Sequence, residues 1–125
     1  MVQVETSQLT GECNSWREKL RQYRDEFSKD KIKLQDTVSQ TLSKDQLQQV
    51  EHLHNQFHIQ LINIHDLKHA IKAHEQKISY EMNVNQGKLH AETVAYHENL
   101  LDQYQHLDST LLELREEFDS FLSRT

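Results

Sequence analysis

The stretch "SKDQ", residues 43–46, decides between two folds for this chain of 125 residues. Ser43 followed by Gln46 forms a capping-box pattern, which is typical of the first turn of a helix. It predicts that one helix ends near Leu42 and that a second begins near Lys44. The competing interpretation is a single helix over residues 5–82. The hydrophobic pattern slips by one residue at "SKDQ", which argues against a single helix.

Before this stretch, apolar residues recur at alternating steps of four and three. This spacing predicts a helix with a coiled-coil-type apolar face. The predicted inward residues are Leu9, Cys13, Trp16, Leu20, Tyr23 and Phe27, followed less regularly by Ile32, Leu34, Val38 and Leu42.

After this stretch, the same alternation runs without a break to Met82. The predicted inward residues are Leu47, Val50, His54, Phe57, Leu61, Ile64, Lys68, Ile71, Glu75, Ile78 and Met82. The segment "NVNQG", residues 83–87, then predicts a turn, because Asn and Gly suit a helix end and the left-handed residue beyond it.

A third helix is predicted from a final apolar stripe. Its inward residues are His90, Thr93, His97, Leu100, Tyr104, Leu107, Leu111, Leu114, Phe118 and Phe121. We therefore predict an all-α protein with a single domain over residues 1–125. It is an antiparallel up-down-up three-helix bundle of long coiled-coil-type helices, at about 5–42, 44–82 and 88–123.

This predicted architecture resembles a spectrin repeat. The shared features are the length, the number of helices and an early inward tryptophan, Trp16 in "SWREKL"; the third helix has no matching tryptophan. The resemblance is one of topology, and it implies a role as a spacer or scaffold.

The composition argues against several classes of partner and compartment. The net charge is −6, and no face gathers the Lys and Arg side chains that phosphate contacts need, so no nucleic-acid partner is expected. The single cysteine, Cys13, excludes an intrachain disulfide and favours a reducing compartment. No signal peptide and no membrane-spanning apolar run are present. We expect a cytoplasmic protein with no membrane partner.

Six of the nine histidines lie in "HLHNQFHIQLINIHDLKHAIKAHE", residues 52–75. The pairs His54/His58 and His65/His69 are four residues apart, a spacing that places two imidazoles on one helical face. A site with two ligands is weak, so we expect most of these histidines to have no specific role and no cofactor to be resident.

One polar layer is predicted near the "NVNQG" end of the bundle. A turn at residues 85–86 brings His74 level with His97, and a turn near 42–43 brings Cys13 to within a helical turn of them. Glu75 is predicted to point inward beside them. We expect these groups to form a hydrogen-bonded layer that fixes the helix register. The alternative is a zinc or iron site with Cys13, His74, Glu75 and His97 as ligands.

The predicted function is that of a non-enzymatic structural or protein-interaction module. No activated nucleophile, phosphate-binding loop or small-molecule substrate site is evident in the sequence. The predicted partner is a protein, the chain itself, in a homodimer. The predicted interface contains three apolar residues outside the inward stripes, Ile59, Ile62 and Leu112. The alternative function is a metal-binding helical protein with a carrier or redox role.

The histidines also predict sensitivity to acid. Protonation of all nine would reverse the sign of the net charge. The inward His54, His90 and His97 are expected to resist protonation, because burial disfavours the charged form. The bundle should therefore lose stability below about pH 6.5, and His97→Leu should remove the effect.

Overall fold

The computed structural model describes residues 6–38, 40 and 42–124. This part of the chain folds into a three-helix bundle. Helix α1 spans Thr6–Val38, α2 spans Lys44–Val84 and α3 spans Ala91–Arg124. The all-α prediction is confirmed. Within the described residues, no helix combines the length and the apolar character needed to cross a membrane.

A new helix begins directly after Ser43, as the capping box predicts. Ser43 Oγ accepts a hydrogen bond from the Gln46 backbone N–H at 3.2 Å, and Gln46 Oε1 accepts one from the Ser43 backbone N–H at 2.8 Å. The interpretation of residues 5–82 as one helix is therefore wrong. Helix α1 ends at Val38 rather than at Leu42, although Leu42 still packs against the core. Residues 5, 39 and 41, which the prediction placed in this helix, lie outside the described residues.

Helix α2 ends within "NVNQG", also as predicted. The Gly87 N–H bonds to the Met82 carbonyl oxygen at 3.1 Å, which closes the end of α2. Gln86 and Gly87 have φ angles of 55° and 82°, in the left-handed region that glycine adopts without steric cost. Helix α3 begins at Ala91, three residues beyond its predicted start.

The core draws on all three helices. Phe57 of α2 lies between Phe27 of α1 and Phe118 of α3, with ring centroids 5.4 Å and 5.1 Å away. Apolar side chains above and below this aromatic series are fully buried, among them Leu20, Leu34, Leu53, Ile64, Ile71, Leu100 and Leu111.

The predicted register of α2 is wrong at every second inward position. The buried residues are Val50, Leu53, Phe57, Gln60, Ile64, Leu67, Ile71, His74, Ile78 and Glu81. His54, Lys68 and Glu75 were predicted inward and are only half-buried at the edge of this face. The 3/4 spacing fits two registers that share Val50, Phe57, Ile64, Ile71 and Ile78. The positions of the neighbouring helices select the one that buries Leu53 and Leu67.

Four other predicted inward residues are exposed. Ile32 and Val38 point outward; near the end of α1, Leu34 is buried as predicted, and Thr37 is buried as well. Leu47, in the first turn of α2, is 46% exposed. His90 is exposed because it precedes α3 and therefore does not belong to its helical stripe.

Polar contacts join the helices along the edges of the core. Tyr23 donates a hydrogen bond to Asp108 at 2.7 Å, and Arg115 pairs with Glu26; both contacts join α1 and α3. Helix α2 also supplies a carboxylate to the start of α3. Glu81 is buried, and it accepts hydrogen bonds from the Thr93 hydroxyl at 2.6 Å and the His90 backbone N–H at 2.9 Å. The carboxylate thus lies at the positive end of the α3 dipole.

Candidate metal centre

Cys13, His74 and His97 meet in one buried layer, and each comes from a different helix. Their side chains are almost completely shielded from solvent, with exposed fractions of 0%, 2% and 4%. His74 Nε2 lies 3.0 Å from His97 Nδ1, and Cys13 Sγ lies 3.8 Å from the same nitrogen. All three potential ligand atoms lie within 4.8 Å of one another.

Helical periodicity explains how each residue reaches this layer. Cys13 belongs to the buried stripe of α1, one step before Trp16, and His97 follows Thr93 on the buried stripe of α3. His74 is buried on α2 together with Leu53, and neither residue was in the predicted inward stripe of that helix. The layer therefore depends on the register that α2 adopts in the bundle.

Glu75, a candidate ligand in the sequence analysis, does not join the three. Its carboxylate forms a bidentate ion pair with the Arg17 guanidinium, at 2.5 Å to Nε and 3.2 Å to Nη2. The carboxylate that reaches the layer is Glu12, whose Oε2 lies 2.9 Å from His97 Nε2. Glu12 immediately precedes Cys13, but nothing in the spacing indicates that its side chain turns towards α3.

His97 has a polar neighbour at each of its ring nitrogens. Its Nε2–H donates to the Glu12 carboxylate, which can only accept. Its Nδ1 faces His74 Nε2 and the Cys13 sulfur. His74 Nδ1 is buried and has no hydrogen-bond partner among the described residues. A buried group left in this way costs about 1–3 kcal/mol.

The Cys13 thiol and the His74 imidazole are both uncharged at physiological pH. Burial raises the pKa of the Cys13 thiol to about 12, and the nearby carboxylates of Glu75 and Glu12 add to the effect. Burial also lowers the pKa of His74 to about 4, reinforced by His97 and Lys77. The hydrogen bond with His97 lowers the pKa of Glu12, although partial burial opposes this.

The contacts run from Cys13 to His97 and from His97 to Glu12. In a catalytic triad the same succession joins a nucleophile, a base and an orienting acid. The environment does not favour that chemistry. A catalytic thiol needs a lowered pKa and access to a substrate, whereas Cys13 is fully buried and its pKa is raised. The arrangement therefore suits binding rather than nucleophilic attack.

Two of the three pairs of atoms lie near the spacing of zinc ligands. Zinc binds thiolate at about 2.3 Å and imidazole at about 2.0–2.1 Å, so its ligand atoms lie about 3.3–3.6 Å apart. The distances of 3.0 Å and 3.8 Å around His97 Nδ1 each come close to that range. Glu12, on the other nitrogen of His97, occupies the position of the carboxylate that commonly orients a metal-bound histidine. The nitrogen of His74 that faces His97 is Nε2, and it is this atom that would bind the ion, whereas the nitrogen unpartnered among the described residues is Nδ1.

Aromatic rings enclose the two imidazoles. Trp16 lies over His97 with a centroid distance of 4.9 Å, and Tyr96 meets His74 edge-on at 5.2 Å. Trp16 in turn stacks against Tyr104 at 5.7 Å. These rings cover part of the layer, although Tyr96 is itself 43% exposed.

The three residues of the predicted interface and the histidine pair His65/His69 lie on the surface. Ile59, Ile62 and Leu112 are 45%, 48% and 47% exposed, and Leu112 lines a shallow groove between α1 and α3. His65 and His69 are exposed, with parallel rings whose centroids are 6.4 Å apart.

Comparisons of the chain with protein-family models, curated proteins and solved structures found no match.

Proposed function

We propose that this chain is a metal-binding helical protein in which Cys13, His74 and His97 bind one zinc ion. The observation that carries the proposal is the convergence of one thiol and two imidazoles, one from each helix, with ligand atoms within 4.8 Å in the core. Sequence alone favoured a purely hydrogen-bonded layer. The short distances around His97 Nδ1, the neutral His74 and the outer carboxylate Glu12 support the ion.

The ligand types select zinc over the other candidate, iron. Thiolate and imidazole ligands suit zinc, whereas iron sites in helical bundles are built from several inward carboxylates. Here Glu75 is paired with Arg17, and Glu12 reaches only the outer nitrogen of His97. When zinc binds, it displaces the proton of the Cys13 thiol, so its affinity should rise with pH.

The proposed role of the ion is to connect the helices of an antiparallel up-down-up bundle. Contacts between α2 and α3 support this topology, because one residue number rises as the other falls: His52–Glu117, His74–His97 and Glu81–Thr93. Contacts between α1 and α3 support a parallel pair, because both numbers rise together: Cys13–His97, Tyr23–Asp108 and Glu26–Arg115. An ion with a ligand from each helix would hold all three in register, in keeping with a spacer or scaffold.

Metal analysis of untagged protein tests the proposal. Wild type should hold one zinc ion per chain after dialysis, and Cys13→Ser and His74→Phe should each lose it. His65→Phe is the matched control, because His65 lies on the same helix but is exposed. Substoichiometric zinc in wild type, together with no stabilisation by added zinc, would contradict the proposal.

We also propose, as a second function, that the chain self-associates as a homodimer in a reducing, cytoplasmic compartment, without enzymatic activity or nucleic-acid partners. The exposed Ile59, Ile62 and Leu112 support an apolar interface. Changing Ile59 and Ile62 to Glu should give a folded monomer in light scattering. A wild-type monomer at high micromolar concentration would rule the dimer out.

A further inference from the structure

A groove of mixed polarity lies between α2 and α3. It has a volume of about 480 Å³, within the range of about 300–1,000 Å³ that is typical of small-molecule sites. Its floor consists of Leu67 and Leu107, which are almost fully buried, and of Ala70, which packs against the core. The groove therefore offers an apolar surface at its base.

Gln60 brings a polar side chain into this groove from an inward position of α2. It is only 7% exposed, and it lies one turn after Phe57 among the buried residues of the helix. Its Oε1 accepts a hydrogen bond at 3.1 Å from Nδ2 of Asn63, which also lines the groove. The Gln60 amide nitrogen and Asn63 Oδ1 have no hydrogen-bond partner among the described residues. The two carboxamides thus leave one donor and one acceptor side by side.

The α3 wall of the groove does not satisfy this donor and acceptor. Thr110 lies on that wall, and its hydroxyl donates to the His106 carbonyl oxygen in its own helix. Water can satisfy the two groups, and a ligand with matching groups can replace that water without leaving a buried polar atom unpaired. The free donor and acceptor therefore determine what the groove can recognise.

The charge of the lining disfavours anions. Asp66 contributes a carboxylate at the exposed edge, and the lining residues, all from the described parts of α2 and α3, include no lysine or arginine. The Asp66 carboxylate would repel an anionic ligand, and no lysine or arginine side chain would offset the cost of removing that ligand from water. The groove therefore suits an uncharged molecule.

We propose that this groove binds a small, uncharged, planar molecule that carries an amide on an apolar ring. The ring lies against the apolar floor. The amide carbonyl oxygen accepts a hydrogen bond from Gln60, and the amide N–H donates one to Asn63. A rigid ring loses little conformational freedom on binding, which favours it over a flexible chain of equal apolar area. The groove shares no residue with the candidate metal centre, so this proposal is independent of the zinc site.

Nuclear magnetic resonance with benzamide as the probe tests the proposal. Titration of isotope-labelled protein should shift the backbone amide signals of Gln60, Asn63 and Leu107 in a saturable way. A Kd of about 1 mM is expected for a ligand with so few atoms. The absence of saturable shifts near the solubility limit of benzamide, or shifts confined to residues outside the groove, would overturn the proposal.

Two close analogues test what the groove recognises. Benzoate has a similar shape, but it is negatively charged and has no N–H donor. Acetophenone is uncharged and keeps the carbonyl group, but it has no N–H donor either. Each should bind about tenfold more weakly than benzamide. Equal affinity for acetophenone would overturn the role of the amide N–H, and equal affinity for benzoate would overturn the selection of an uncharged ligand.

Two variants test the position of the probe. Gln60→Leu should weaken benzamide binding about tenfold, and Ala70→Leu, which fills the floor, should weaken it at least as much. Gln56→Leu is the matched control, because Gln56 is half-buried on the same helix and does not line the groove. Wild-type affinity in either variant, once shown to be folded, would overturn the site. Cys13→Ser should bind benzamide like wild type, which separates this proposal from the zinc site.

Discussion

Glu12 and His97 are joined at 2.9 Å, on the side of the imidazole opposite Cys13 and His74. This contact determines which nitrogen of His97 is free to act as an acceptor or a ligand. It therefore links an outer, partly exposed carboxylate of α1 to the chemistry of a buried layer.

Replacing Glu12 by Gln should weaken zinc binding about 10–100-fold, because the amide removes the negative charge that orients and polarises His97. Competition with a chromogenic chelator measures the affinity. Glu18→Gln, on the exposed face of the same helix, serves as the control and should bind like wild type. Equal affinities for the two variants would argue against the orienting role of Glu12.

His74→Leu should separate metal binding from folding. With a chelator present, its free energy of unfolding should equal that of wild type or exceed it by about 1 kcal/mol, because the unsatisfied buried nitrogen is removed. Zinc at 100 times its Kd should stabilise wild type by about 2.7 kcal/mol and leave the variant unchanged. Urea melts with chelator or zinc measure both effects. Zinc stabilisation of His74→Leu would contradict the ligand assignment.

Metal-free protein should be less stable in mild acid, and the structure assigns the effect to His74 rather than to His54 or His90. Burial, His97 and Lys77 together lower the pKa of His74 from 6.5 to about 4, and Glu81 opposes them. Glu12 and Cys13 are the ionisable groups of α1 in the same layer. The unfolded chain thus binds more protons between pH 6.5 and 4, so stability is complete above 6.5 and falls through that window.

The expected loss between pH 7.5 and pH 5.5 is about 1 kcal/mol in urea melts. His74→Leu should reduce this loss, whereas His90→Leu should not, because His90 is exposed. Equal stability of wild type at the two pH values would refute the prediction.

Thr93→Val should destabilise the protein by about 1.5–3 kcal/mol, because it removes the hydroxyl that bonds to the buried Glu81 carboxylate. Thermal or urea unfolding measures the loss. Thr110→Val is the control: its hydroxyl bonds only to the His106 carbonyl oxygen on the helix surface, so a change within about 0.5 kcal/mol is expected. Similar losses in the two variants would show that Glu81 does not depend on Thr93.

The two glycines should respond oppositely to alanine. Gly87→Ala should destabilise by about 1–2 kcal/mol, because its φ of 82° strains an L-residue. Gly11→Ala should stabilise by about 0.5–1 kcal/mol, because Gly11 lies within α1 with open space around it. Denaturant midpoints at constant slope measure both. A destabilised Gly11→Ala would contradict the position of Gly11 within a regular helix.

Local interactions explain why the helix boundaries could be predicted. The Ser43–Gln46 capping box and the left-handed Gly87 involve residues within a few positions of each other, so the sequence displays them directly. The buried stripes of α1 and α3 could also be predicted from the sequence, because Trp16, Leu20 and Leu100 are large apolar residues at unambiguous spacing.

Tertiary structure alone decided the register of α2 and the composition of the candidate site. The 3/4 pattern is compatible with either His74 or Glu75 facing the core, and the neighbouring helices resolve this by burying His74 while Arg17 binds Glu75 at the edge. The contact between Glu12 and His97 likewise joins residues far apart in sequence. The sequence by itself thus determined where the helices begin and end, because those signals are local. The rotation of α2 and the side chains that meet in the core were decided by packing, because a helix of this composition can bury either of two adjacent faces.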